Sequence, residues 1–142
     1  MQDRPTAPEL VAAVRQFLND EIVPGLVDPR LRFRALVAAN VLSIVERELL
    51  GDEAVLREEY RRLAALERPG DDPTELPDTV TTLRAAIDAR ARDLCARIRA
   101  GEAESGPWRQ DVLAYTRWSV REKLRIANPR YLARVEGEAG TR

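Results

Sequence analysis

The 142-residue chain contains no histidine and a single cysteine, Cys95. The first absence removes Ser-His-Asp and Cys-His nucleophile activation, which need an imidazole to carry the proton. It also removes His-ligated zinc and the di-iron carboxylate bundles that set Glu and His on facing helices. One thiol can form neither a disulfide within the chain nor a cysteine-rich metal site. An excess of charge of one sign is lacking too. With 23 Lys and Arg against 24 Asp and Glu, the formal net charge is −1, so no global field draws the protein to nucleic acid or to an anionic membrane. The longest stretch nearly free of charge, Ala35–Val45, is far shorter than the roughly 20 residues of a membrane-spanning helix. The opening MQDRPTAPEL has no apolar signal region. The expectation is a cytoplasmic protein without metal or cofactor, bound neither to nucleic acid nor to membrane. Lys123 is the sole lysine beside many Arg and Ala, which reads as GC-rich codon usage rather than phosphate recognition.

What is present is helical patterning. Hydrophobic residues make up 44% and charged residues 33%, as in ordinary globular proteins, and the length suits one domain burying roughly 68–70% of its unfolded surface. Thr6-Ala7-Pro8-Glu9 reads as a capping box ahead of a helix. Its stripe is Leu10, Val14, Phe17 and Leu18, widened by Val11 and Ile22, and Pro24-Gly25 ends it. Asp28-Pro29 supplies the cap and first residue of a second helix. At about 100° per residue, Leu31, Ala35, Ala38, Leu42, Val45 and Leu49 share one face of it. Phe33, Val37, Val41 and Ile44 occupy an adjoining face, and Arg32, Asn40, Ser43, Glu46 and Arg47 fill the remaining strip. The apolar arc is wide enough for two or three neighbours.

Gly51 stops that helix and Asp52 caps a third over about 53–67, with Val55, Leu56, Tyr60, Leu63 and Leu66 inward. Its outer face pairs Glu53 with Arg57 and Glu58 with Arg62. RPGDDPTELPD, residues 68–78, is a mobile linker between a three-helix and a two-helix half. The fourth helix, about 78–100, carries the stripe Val80, Leu83, Ile87, Ala91, Leu94 and Ile98, with Cys95 beside it as a small buried hydrophobe. The fifth opens at Ser105-Gly106-Pro107, with Val112, Leu113, Val120 and Leu124 inward and Trp108, Tyr115 and Ile126 flanking. Asn128-Pro129 breaks the chain, Tyr131 and Leu132 anchor a last turn, and residues 137–142 form a frayed tail. The predicted fold is all-α, a five-helix, mostly antiparallel bundle forming a single domain over residues 1–142.

The blocks RPTAPELVAAVRQFL, RFRALVAANVLSIVERELL and KLRIANPRYL resemble those of a small family of bacterial all-helical proteins with no assigned activity. Genes of that family often lie beside those for aminoglycoside-phosphotransferase-like kinases and acyl-CoA dehydrogenases. The resemblance spans nearly the whole chain and implies an accessory role; it assigns no catalytic residue.

Carboxylate-only catalysis needs paired acids that turn several oxygens towards one magnesium cluster. Glu46, Glu48, Asp52, Glu53, Glu58, Glu59, Asp88 and Asp93 do not provide such pairs facing inward. A helix-turn-helix through Leu50-Gly51-Asp52 would present Glu53, Glu58 and Glu59 to phosphate, which repels it. Lys123 projects inward beside Thr116, Ser119 and Ala127, where a lysine must snorkel, pair with an acid or line a pocket. Asn40, Ser43, Arg47 and Lys123 are therefore the candidate pocket. Glu21 and Arg34 each interrupt an apolar face and are expected to pair. Trp118 projects away from the inward arc among Asp111, Arg121, Glu122 and Arg125. It can stack on Arg121 or Arg125, pack against the chain after Asn128, or anchor a partner; Trp118, Arg121 and Arg125 form the candidate interface. The expected function is a non-enzymatic accessory or protein-interaction domain associated with a metabolic enzyme, self-associating as a homodimer. The alternative is a small-molecule-binding protein or enzyme using a polar pocket near Asn40, Arg47 and Lys123.

Overall fold

The computed structural model describes residues 4–51, 53–67 and 76–139, and every regular element among them is helical. Helix α1 (Ala7–Phe17) continues through a π-helical turn, Leu18–Ile22, into a final turn at Val23–Gly25. Then come α2 (Pro29–Leu49), α3 (Glu53–Glu67), α4 (Val80–Arg99), α5 (Pro107–Ala127) and α6 (Pro129–Ala139). The chain forms two compact units, residues 1–51 and 52–142. The division falls at Gly51 rather than at the 68–78 segment, of which residues 68–75 lie outside the described residues. The reason is α3, whose Tyr60, Leu63 and Leu66 share a core with Leu83, Ile87 and Leu94 of α4.

The caps explain why the helices begin and end where they do. Glu9 accepts from the Thr6 amide at 2.6 Å, the return arm of the capping box, and this bond holds the Glu9 carboxyl below its usual range. Asp28 accepts from the Arg30 amide at 2.8 Å, with Pro29 in the first turn. Asp52, expected to cap α3, lies outside the described residues. A side chain at Gly51 would meet the Glu48 carbonyl at 2.9 Å, so the tight end of α2 requires glycine. After α4, Gly101 adopts φ +87°, and the amides of Glu102 and Gly101 return to the carbonyls of Arg97 and Ile98. That is a Schellman closure, which satisfies carbonyls the helix itself cannot.

The five-helix expectation undercounts by one, because Asn128-Pro129 starts a helix as well as ending one. Asn128 Oδ1 accepts from the Tyr131 amide at 3.1 Å and its carbonyl accepts from Leu132 at 3.2 Å. The side chain thus satisfies a donor that the first turn leaves open. The chain runs on as α6 to Ala139, past the start of the expected tail at residue 137.

In the first unit, α1 and its extension form a helical hairpin with α2. Only Val23 and Ala39 are buried among its described residues. The face of α1 turned inward holds half-buried Val11, Ala12, Leu18 and Ile22; of the expected stripe Leu18 is on it, while Leu10, Val14 and Phe17 stay exposed. Small residues permit the closest approach between two helix surfaces, and Ala12 on α1 and Ala35 and Ala39 on α2 supply them. The expected Glu21–Arg34 pair does not form: both residues are exposed, and Glu21 lies on the same outward stripe as Leu10, Val14 and Phe17. The cross-helix link is instead Arg15 Nε donating to Glu46 Oε2 at 2.9 Å, with side chains 27% and 21% exposed. Partial shielding puts such a pair at the upper end of about 0.2–1 kcal/mol.

The second unit has a true core. Leu63 of α3 and Leu83 of α4 are 1% and 0% exposed, surrounded by Tyr60, Leu66, Ile87, Leu94, Val112 and Tyr115. The stripe expected on α4 is the one found, centred on Leu83, Ile87 and Leu94. The phase expected for α5 is not. Val112, Tyr115 and Ser119 are buried and Trp108 and Trp118 pack on the core, while Val120 is 50% exposed. Three large rings on one side of α5 bury more apolar area than Val120 would, and they set its rotation. Cys95, expected to be buried beside the α4 stripe, is exposed.

Candidate functional site

Within the second unit the aromatic side chains are roofed by arginines from neighbouring helices. The Arg97 guanidinium lies 4.1 Å from the Trp108 ring centre, that of Arg90 4.6 Å from Tyr60, and that of Arg62 4.8 Å from Trp118. These are cation–π distances. Trp108 Nε1 donates to the Leu66 carbonyl at 3.0 Å, and Arg97 Nη1 reaches the same oxygen at 3.3 Å. Arg90 is held by the Tyr60 hydroxyl at 3.2 Å and by an ion pair with Glu67. Burial disfavours its charge, but the Tyr60 hydroxyl and the Glu67 carboxylate outweigh burial and raise its pKa.

Deeper between α3 and α5, Glu59 accepts from the Tyr115 hydroxyl at 3.1 Å and from Ser119 Oγ at 3.5 Å. Burial, then the Glu59 charge, push the Tyr115 phenol up to about 12, against the opposing hydrogen bond from Ser119. A buried phenol beside a carboxylate resembles a general acid–base pair. Here both hydroxyls already donate to Glu59 Oε1 inside the unit, and among the described residues no fully buried side-chain polar atom lacks a partner. The network fixes the α3–α5 contact. Because the folded pKa is raised, folding is favoured fully below the unfolded value near 10, and that contribution is lost as pH rises from about 10 to about 12. Alkaline unfolding should therefore steepen above pH about 10, and Tyr115→Phe should flatten it; an unchanged pH profile in that variant would exclude the linkage.

The residues singled out from sequence separate into the two units. Asn40 is exposed on α2, Ser43 Oγ donates back to the Asn40 carbonyl at 2.8 Å, and half-buried Arg47 has its own intrachain partner. Spaced three and four residues apart, these three share one strip of α2, as expected. Lys123 belongs to the second unit and is exposed on α5, not inward, although Ser119 one turn before it is buried. Trp118 is half-buried against the core with Arg62 over it, and its ring lies 6.3 Å from that of Tyr115. The stacking partners expected for it are engaged elsewhere: Arg121 pairs with Glu136 at 2.5 Å and Arg125 with Glu122 at 3.0 Å. Sequence reasoning missed Glu59 and the three stacks, since the members of each sit on different helices and no local spacing marks them.

A shallow depression of about 540 Å³ lies on α4 along Asp88, Ala91, Arg92, Cys95 and Arg99. Its lining brings together no three metal-ligating side chains, nor does any other cluster among the described residues. No helix among those residues is long and apolar enough to cross a membrane. The feature of the molecule that stands apart is the surface of the first unit. Of seventeen exposed large apolar side chains among the described residues, twelve belong to residues 10–50. Monomeric proteins seldom leave so much apolar surface to water without a use for it.

Residues 24–131 match a domain of unknown function, DUF6285, and the chain belongs to that family. No curated protein and no solved structure matches it.

Proposed function

We infer that this DUF6285 protein is a non-enzymatic accessory domain of the bacterial cytoplasm that works by contact with a metabolic enzyme. The observation that carries this reading is the apolar surface of the first unit, where Leu10, Val14 and Phe17 of α1 and most of the large side chains of α2 face solvent. Such a surface loses free energy on every exposed side chain until something covers it. The resemblance drawn from the sequence blocks offers two partner classes, aminoglycoside-phosphotransferase-like kinases and acyl-CoA dehydrogenases. The competing reading places a small molecule against Asn40, Arg47 and Lys123, of which Asn40 and Lys123 are each solvent-exposed.

The test is capture from a lysate of the natural host, comparing the wild-type chain with Val14→Arg and identifying retained proteins by mass spectrometry. One enzyme of either class should be retained by the wild type and lost with Val14→Arg. Retention of none, together with a thermal shift on adding a small metabolite that Lys123→Ala abolishes, would favour the ligand site instead.

A further inference from the structure

We propose that the outer face of α2 is a self-pairing seam, on which a second copy of this chain lays its own α2 antiparallel, Val37 of one copy against Val41 of the other. The proposal rests on the interaction reading above and assigns one part of that apolar surface, the outer face of α2, to self-association in a defined register.

Ala39 is the buried residue of α2, turned towards α1. At about 100° per residue, Phe33, Val37, Val41 and Ile44 fall on the opposite side. Phe33 is 68% exposed and Val41 51%, on a helix face that the hairpin itself has no element to cover. Full burial of a large apolar side chain corresponds to about 60–120 Å² of surface, so the five on this face, Phe33, Val37, Val41, Ile44 and Val45, offer on the order of 250 Å² per copy. That makes the apolar centre of an interface whose remaining area, towards the roughly 800 Å² each partner gives to a stable one, comes from the polar side chains flanking the stripe.

A second copy is favoured over a foreign helix because the pattern mirrors itself about Ala39. Val37 mirrors Val41, Phe33 mirrors Val45, and Arg30 mirrors Glu48. A two-fold axis at that residue, the isologous arrangement of most homodimers, sets apolar against apolar along the centre. The same axis brings Arg30 at the head of one helix beside Glu48 at the tail of the other, while Arg34 falls against Ile44 and lays its aliphatic stem along it. Glu48 already has an intrachain contact; what it adds is the sign of the tail, matched by the antiparallel helix dipoles. A parallel pairing would oppose Arg to Arg. Asn40 sits at the edge of the seam, where it can remain wet.

The experiment is sedimentation equilibrium of the full chain, with helicity followed by circular dichroism. Wild type should be dimeric, and Val37→Glu and Val41→Arg should each be monomeric with helicity kept. Mixing the two variants should restore a dimer, because the register sets the introduced carboxylate against the introduced guanidinium while the other two positions stay apolar. If either variant loses helicity, the milder Val37→Ala with Val41→Ala should still weaken dimerisation at least about tenfold. A monomeric wild type, a dimer that survives these changes, or no recovery on mixing overturns the seam. A monomer that still retains a host enzyme in a Val14-dependent way overturns it while leaving the interaction reading intact.

Discussion

Leu83→Ala is expected to lower the free energy of unfolding by about 3–5 kcal/mol, the upper part of the range for a buried leucine truncated in a packed core. Leu83 is 0% exposed and lies in the same cluster as Leu63 of α3 and Val112 and Tyr115 of α5. Truncation removes its transfer free energy and leaves a cavity bounded by three helices. The Trp108–Leu66 and Tyr115–Glu59 hydrogen bonds tie α5 to α3, and Arg90 with Glu67 and Arg97 with the Leu66 carbonyl tie α4 to α3, which resists collapse into the void. Urea unfolding followed by far-ultraviolet circular dichroism measures it. Val120→Ala is the matched control, since Val120 is 50% exposed and should cost no more than about 0.5 kcal/mol. The regular phase first expected for α5 requires the opposite of that control, a substantial loss at Val120. Equal costs for the two substitutions would mean that the described rotation of α5 is wrong.

Trp108→Ala is expected to cost about 2–4 kcal/mol, below the 3–5 kcal/mol of a fully buried ring because this one is only partly buried. Three contributions are lost together. The ring leaves the core edge, the Arg97 guanidinium 4.1 Å above it loses its aromatic face, and the Leu66 carbonyl loses its 3.0 Å donor. That carbonyl lies in the last turn of α3, where no intrahelical amide can reach it. Arg97 Nη1, at 3.3 Å, then remains as its donor. Trp108→Phe keeps a ring beneath Arg97 and deletes the indole N–H, so it should cost only about 1 kcal/mol. The contrast between the two variants is the measurement of interest. If phenylalanine is as damaging as alanine, the hydrogen bond dominates and the stack contributes little; if both are silent, Trp108 does not secure the end of α3.

The sequence by itself determined all the long helices but not the last, α6, together with many of their ends and the core stripe of α4. Asp28-Pro29, Thr6 with Glu9, and Gly51 each act on amides or carbonyls within about four residues, so their effect is complete in the local chain. The stripe Leu83, Ile87 and Leu94 was legible because α4 has one dominant apolar face and nothing to compete with it. The strip shared by Asn40, Ser43 and Arg47 followed from the same periodicity. Where a helix carries two apolar faces, periodicity ranks neither. On α1 the face with Ala12 turned inward because the α2 surface opposite it presents Ala35 and Ala39, and on α5 the rings of Trp108, Tyr115 and Trp118 displaced Val120. The rotation of α5 then brought Trp118 under Arg62, while Lys123, one turn beyond buried Ser119, ends in solvent. Glu59 with Tyr115 and Ser119, and each arginine with its ring, are likewise products of packing, since hydrogen bonds and cation–π contacts act over a few ångströms of space whatever the separation along the chain. Only the tertiary structure decided those choices, because each depends on what the neighbouring helix presents.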